Sequence, residues 1–275
     1  MIFKLTTLRT FKRLMLCFIT ALCMQSVQGL QDRTKVKIND DWLYLENNTT
    51  DINDVLSQNN WEPINLPHSW NALDATDLNP GYRRSGSWYK KTLDIPNVIP
   101  GEIYQLYFEG VNIESEVFVN GKKVGAHIGG YIGFTIDISD AITPGKNDIL
   151  VRADNGYNPE VIPSQKSDFF IFGGITRDVW FETLPAEHVS DLKITTPKVS
   201  QANAELKAII KIENPAKNTK LKVRASLVDA AGVSIASSVF KIKDNSSEVY
   251  FKGIKNPKLW DTDNPNLYTL SIELI

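Results

Sequence analysis

Asp168 stands in a stretch, residues 155–172, that is rich in Pro, Asn and Ser and so reads as a long loop. A carboxylate on such a loop can accept two hydroxyl hydrogen bonds and can project towards a neighbouring domain; in a tight turn the same residue would instead cap the backbone after Ser167. Asn79, in Leu78-Asn79-Pro80-Gly81, offers an amide that donates and accepts at once, or else a plain Asn-Pro turn. Arg83 and Arg84 lie in the same loop and either line a cleft or stand in solvent. Arg177 and Asp178 follow Gly173-Gly174 at the start of an expected strand. There the glycines permit a tight turn, and the Arg-Asp pair reads as a buried ion pair tying a loop to a sheet. The chemistry available to such a set is hydrogen bonding and ion pairing. His68, His127 and His188 do not cluster with cysteines or carboxylates, so no transition-metal site and no cofactor is expected. Asp and carbonyl oxygens leave room for a Ca²⁺, Na⁺ or Mg²⁺ ion in a longer protein. His68, between Pro67 and Trp70, suits domain packing better than proton transfer.

The elements that must position these residues are strands. From about Trp42 onward, short alternating segments are divided by Gly, Pro, Asn and Asp, which is the pattern of an all-β sandwich. The clearest strands are expected over 87–95, 103–109, 116–119, 134–138, 149–153 and 177–182. Asn120-Gly121 suits a two-residue hairpin, because both residues tolerate the positive φ of a type I′ turn. Pro144-Gly145-Lys146-Asn147 reads as another turn. One short helix is expected over 52–57, at the edge of the sandwich. A boundary falls near Leu184-Pro185-Ala186-Glu187, after which a second alternating series covers 204–213, 220–228, 234–241, 248–251 and 267–274. About seven short strands over some ninety residues suit an immunoglobulin-like sandwich. Ile275 falls inside an expected strand, which reads as truncation of a longer protein. Core packing is the expected role of at least four of the six tryptophans.

Composition bounds the function. The 275 residues allow two ordinary domains, and 42% hydrophobic and 23% charged residues with a net charge of -2 fit a soluble protein with no electrostatic call for nucleic acid. The first residues differ: Lys4, Arg9, Lys12 and Arg13 precede an apolar run over 14–24, about half the roughly 20 residues needed to span a bilayer. This reads as a secretory signal peptide, residues 1–29, cut after Gly29 with Val27 at the third position before the cut. Both cysteines, Cys17 and Cys23, lie inside it, so the mature chain has no disulfide and suits a bacterial periplasm or cell surface.

Several phrases resemble glycoside hydrolase family 2. Trp61-Glu62-Pro63-Ile64-Asn65-Leu66-Pro67-His68-Ser69-Trp70-Asn71 is similar to the opening of that family's sugar-binding domain, Gly86-Ser87-Trp88-Tyr89-Lys90-Lys91 to its first long strand, and Phe108-Glu109-Gly110-Val111 with Val117-Phe118-Val119-Asn120-Gly121-Lys122-Lys123-Val124-Gly125 to its central hairpin. Phe172-Gly173-Gly174-Ile175-Thr176-Arg177-Asp178-Val179 is the most specific phrase. Pro257-Lys258-Leu259-Trp260 and Pro265-Asn266-Leu267-Tyr268 resemble the domain that precedes the family's barrel.

The resemblance implies a jelly-roll, galactose-binding-like sandwich over 30–185 and an immunoglobulin-like sandwich over 186–275. A (β/α)8 barrel carrying two catalytic glutamates would follow beyond this chain, so no acidic residue here is catalytic. It further implies that Asp168, six positions before Gly174 and nine before Arg177, contacts substrate as in the family's β-galactosidases. Asn79 matches an active-site asparagine more loosely. The implied activity is hydrolysis of terminal β-galactosides by the full-length protein, with β-glucuronidase, β-mannosidase or a non-catalytic carbohydrate-binding module as alternatives. The implied partners are an oligosaccharide or β-galactoside, the protein's own barrel, and further copies in a homo-oligomer.

Overall fold

A computed structural model describes residues 33–74, 76–78, 81–162, 170–213, 220–242 and 245–275. The chain is all-β: a jelly-roll β-sandwich is followed by an immunoglobulin-like one. The first is built from β1 (Thr34–Lys37), β2 (Trp42–Leu45), β3 (Glu62–Ile64), β4 (Gly86–Ile95), β5 (Ile103–Phe108), β6 (Val111–Asn112), β7 (Glu114–Val119), β8 (Lys122–Ile128), β9 (Phe134–Asp137), β10 (Gly145–Asp154), β11 (Gly174–Ile175) and β12 (Val179–Leu184). A six-stranded sheet runs in the order β3-β2-β4-β10-β7-β8, a four-stranded sheet β1-β12-β5-β9 faces it, and β11-β6 forms a two-stranded corner.

Period-two alternation decides which side chains meet between the sheets. Tyr89, Val117, Val119, Ile149 and Val151 from one sheet pack against Tyr104, Leu106, Phe108, Phe134 and Val179 from the other in one core. Alternation fails at Ile149-Leu150-Val151, all three fully buried, because the outer face of this sheet is covered too. The cover is helix α1 (Ile52–Leu56), capped by the Asp51 carboxylate, which accepts from the Asn53 N–H at 2.9 Å. Its Val55 packs on Leu45, Trp88, Leu150 and Phe118, drawn from four adjacent strands. The helix therefore lies across the middle of the sheet and not at its edge as expected from sequence, because those four outward apolar side chains need cover.

The second sandwich comprises β13 (His188–Val199), β14 (Asn203–Glu213), β15 (Lys222–Asp229), β16 (Ser234–Lys241), β17 (Ser246–Lys255) and β18 (Tyr268–Leu274). Its sheets are β13-β14-β17 and β16-β15-β18. Leu206, Ala208, Ile210, Ile212, Val249 and Phe251 meet Val223, Ala225 and Leu227 between them. The described residues supply six strands here where about seven were expected.

Two local expectations need correction. The strand expected from 177 begins at Val179, so Arg177 and Asp178 lie ahead of it. The turn expected at residues 144–147 is displaced towards the N-terminus, since Gly145 already pairs with Ile95 in β10. Buried Asn147 holds the preceding turn: its amide donates to the Thr143 and Gly145 carbonyls at 2.8 and 2.9 Å and accepts from the Thr143 N–H at 2.8 Å. The Asn120-Gly121 hairpin forms as expected, with φ of 50° and 81°.

Candidate functional site

At one end of the first sandwich four chain stems converge. In sequence, residues 72–82 join Asn71 to Arg83, and residues 156–170 join Asn155 to Ile171. Asn71 and Asn155 are fully buried. The Asn71 amide donates to the Arg83 carbonyl at 3.3 Å and to the Ile171 carbonyl at 3.1 Å. The Asn155 amide donates to the same two carbonyls at 3.1 and 2.9 Å. Two NH₂ groups supply four hydrogens and two carbonyls supply four lone pairs, so the square is saturated. The amide oxygens are used as well: that of Asn71 accepts from the Gly173 N–H at 2.9 Å and the Ser69 hydroxyl at 3.0 Å, and that of Asn155 from the Ser85 N–H at 2.9 Å. The Asp74 carboxylate accepts from the Arg83 N–H at 2.7 Å and narrows the neck of the first loop. Asn112, also buried, donates to the Phe172 carbonyl next in the chain.

Beneath this square lies an aromatic floor. Tyr44 packs against His68 and Tyr89 with ring centroids 4.8 and 5.4 Å away, and against Trp70 at 6.4 Å. The Tyr89 hydroxyl lies 2.9 Å from His68 Nδ1, and the Tyr44 hydroxyl 3.0 Å from the Ser87 hydroxyl. Burial pushes both tyrosines above the ordinary phenol range and His68 below the ordinary imidazole range. Burial thus favours the uncharged form of all three.

Arg83 is fixed in that scaffold. Its guanidinium donates to the Tyr44 hydroxyl at 3.2 Å and the Gly86 carbonyl at 2.7 Å, pairs with Glu46 at 3.3 Å, and sits 5.1 Å from the Trp70 ring centroid. Arg84 donates to the Asn155 and Gly156 carbonyls at 2.9 and 3.3 Å. Neither arginine is merely solvated, since each closes carbonyls left open by the loop stems.

Of the residues singled out in the sequence, Asp168 and Asn79 lie outside the described residues. Gly173 and Gly174 serve close approach as well as turning. A Cβ on Gly173 would sit 2.1 Å from the Trp70 ring, and one on Gly174 2.5 Å from the His68 carbonyl oxygen and 2.6 Å from the Tyr89 hydroxyl, at a φ of +127°. The Arg177-Asp178 ion pair does not form. Asp178 instead pairs with Lys37 at 2.9 Å and accepts from Asn39 at 2.8 Å, because β1 runs beside β12 and brings Lys37 alongside. The Lys37 hydrogen bond holds the Asp178 carboxyl below the usual range. Arg177 is exposed, its stem lying over Gly110. His68 packs within its own sandwich, and Trp260 is 61% exposed whereas Trp42 and Trp88 are fully buried. Among the described residues no three His, Cys, Asp or Glu side chains converge as a metal site would require.

The sequence reading missed Asn71, Asn155 and Asn112. Asn71 stood within a quoted phrase and Asn155 precedes Gly156, but buried amides and turn amides look alike in a sequence.

Comparison with known proteins adds the context of this end. The sequence profile "Glycosyl hydrolases family 2, sugar binding domain" matches residues 30–185, and "Glycosyl hydrolases family 2" matches residues 187–275. A Formosa agariphila protein named "Putative beta-glucuronidase" is 66% identical over 250 residues, which is 91% of this chain and 30% of that protein. A "Beta-galactosidase" of Thermoanaerobacter pseudethanolicus is 31% identical over 88% of this chain and 33% of its own length. Among solved structures, a Parabacteroides merdae β-glucuronidase superposes with a TM-score of 0.79 at 28% identity, covering 88% of this chain and 33% of that one. The chain thus spans about a third of the length of the relatives it matches. No described helix is long and apolar enough to cross a membrane.

Proposed function

Because this chain belongs to glycosyl hydrolase family 2, we propose that it is the N-terminal part of an exported β-glycosidase whose substrate is a terminal β-glucuronide. The observation that carries the choice of sugar is the 66% identity to the Formosa agariphila protein over nearly the whole chain. In this reading the two sandwiches are not catalytic. An acid/base and a nucleophile, two carboxylates about 5 Å apart in a retaining mechanism, reside in polypeptide beyond residue 275. The first sandwich contributes the end braced by the Asn71–Asn155 square, which in this reading lies beside the bound sugar.

A second reading, a β-galactoside, is favoured by one feature, the position of Asp168 relative to Gly174 and Arg177. A carboxylate there grips neutral sugar hydroxyls, whereas it would repel a uronate. The full-length protein, assayed with p-nitrophenyl β-glucuronide and p-nitrophenyl β-galactoside under one set of conditions, separates the two. The proposal expects kcat/KM for the glucuronide to exceed that for the galactoside about 100-fold or more, the discrimination that a site built around one charged group gives. The reverse ratio would establish the second reading. Turnover of neither would remove both.

A further inference from the structure

The outer face of the four-stranded sheet carries an aromatic pair flanked by cations. Alternation turns Phe181, Leu106 and Phe108 inward to the core, and so turns Trp180 and Tyr107 outward. The registers set Lys37, Trp180, Tyr107 and Thr135 side by side across β1, β12, β5 and β9, with Lys35, Glu182 and Gln105 in the neighbouring row. Four strands span about 14 Å, room for more than one six-membered ring. Both aromatic side chains are half-buried and Thr135 is exposed. The Trp180 indole is fixed by donating to Glu109 at 2.9 Å. Lys35 Nζ lies 4.5 Å from the Tyr107 ring centroid and 4.8 Å from that of Trp180, and Lys37 Nζ lies 5.3 Å from the Trp180 centroid. The charge shown to solvent beside the rings is one-sided. Arg33, Lys35 and Lys37 expose 54, 42 and 50% of their side chains, whereas their carboxylate partners Glu182 and Asp178 expose 4 and 26%. Glu182 also accepts from Gln105, so its carboxylate is fixed under the cations and holds them in place while their charge faces water.

We propose that this face binds a glycan chain bearing carboxylates, with a pyranose ring stacked on Trp180 and Tyr107 and the carboxylates paired with Lys35 and Lys37. Charge complementarity selects an anion, and the two rings select one that has flat apolar faces. Gln105 and Thr135 add hydrogen-bonding groups suited to hydroxyls. Lys35 gives up its contact with the rings readily, because such a contact is weak at an exposed site and the ligand's carboxylate replaces it. Membership of a glycosidase family favours a glycan over other polyanions with flat rings. The site does not depend on which sugar the full-length protein hydrolyses.

Calorimetric titration of the full-length protein tests the proposal. The probes are a tetrasaccharide of β-1,4-linked glucuronate, with sulfur replacing the glycosidic oxygens so that it is not hydrolysed, and the matching neutral glucose tetrasaccharide. The acidic probe is expected to bind about 10-fold or more tightly than the neutral one, and the combined substitution Lys35→Gln with Lys37→Gln to remove that preference. Trp180→Leu is expected to weaken both probes. Thermal melts check that each variant folds; if Trp180→Leu does not, the lysine variant, altered only at exposed side chains, still decides. Binding needs no turnover, so the result stands apart from the glycosidase assay. Equal affinity for the two probes overturns the proposal, as does a lysine variant that binds like wild type. Equal binding of a thymidine oligonucleotide assigns the face to polyanions at large and also overturns it. So does protection of Lys35 and Lys37 from acetylation in the full-length protein, which would show that polypeptide covers the face.

Discussion

Asn71 and Asn155, far apart in sequence, donate to the same two carbonyls, those of Arg83 and Ile171. Each amide thereby ties one loop to the stem of the other. Asn71→Ala leaves the buried Gly173 N–H without its acceptor, and Asn155→Ala does the same to the Ser85 N–H. Each single substitution is expected to lower stability by about 2–3 kcal/mol. Together they strip both carbonyls of donors, so the double substitution should cost more than the sum by about 1 kcal/mol. Urea unfolding of the four proteins measures this, and simple additivity would show that the two amides act separately.

The glycine pair gives a sharper contrast. Gly173→Ala drives a methyl into the Trp70 ring, and Gly174→Ala combines a backbone clash with a φ of +127°. Each should cost about 3 kcal/mol or more, since the obstacles are a packed ring and main-chain atoms. Gly232→Ala, with a φ of +78° and open space around it, should cost about 1 kcal/mol. Equal losses at the three positions in thermal melts would mean that backbone conformation alone makes these glycines necessary.

Much of the fold was readable from residue types. Alternation located most of the long strands, while β1, β2, β3, β6 and β11, of two to four residues, were too short to show a period, and Asn120-Gly121 announced its hairpin because only a few residues accept two positive φ values. What could not be read was which polar residue meets which. Asp178 has Arg177 beside it in sequence yet bonds Lys37, 141 positions away, because strand order in the sheet decides its neighbour. The need for Gly174 could be seen, but its cause, Tyr89 and the His68 carbonyl, lies on segments that only the tertiary fold brings near. The apolar outward faces of Trp88 and Leu150 likewise make sense only once α1 is placed over them.

Acid should expose the role of Glu182. Its carboxylate is nearly buried, accepts from Gln105 at 2.5 Å, and is paired with Arg33 at 3.0 Å and Lys35 at 3.2 Å. Burial pushes its pKa up, but these three donors outweigh it and the net shift is downward. A depressed folded value stabilises the protein above the unfolded pKa of about 4.3, and that contribution is lost as pH falls further. Glu182→Gln should therefore lower stability by about 1–3 kcal/mol at pH 7, with the difference from wild type shrinking towards pH 3. A difference that stays constant between pH 7 and pH 3 would refute an ionic origin.

His68 titrates in a different window. Burial disfavours its charged form, so the folded pKa lies below the unfolded value of about 6.5. Stability is then full above pH 6.5 and declines as pH falls, because the unfolded chain takes up a proton that the folded one resists. His68→Gln should flatten the stability profile between pH 7 and pH 5. A profile as steep as that of wild type would place the titrating group elsewhere.

The central claim is that this chain frames a glycosidase site without supplying the reacting carboxylates. A retaining enzyme forms a covalent glycosyl ester on its nucleophile, so a glucuronide-configured covalent inactivator marks that residue permanently. The full-length protein, inactivated with this reagent and digested, should yield one modified peptide by mass spectrometry, carrying the label on a carboxylate beyond residue 275. A label on any residue from 30 to 275 would contradict the account.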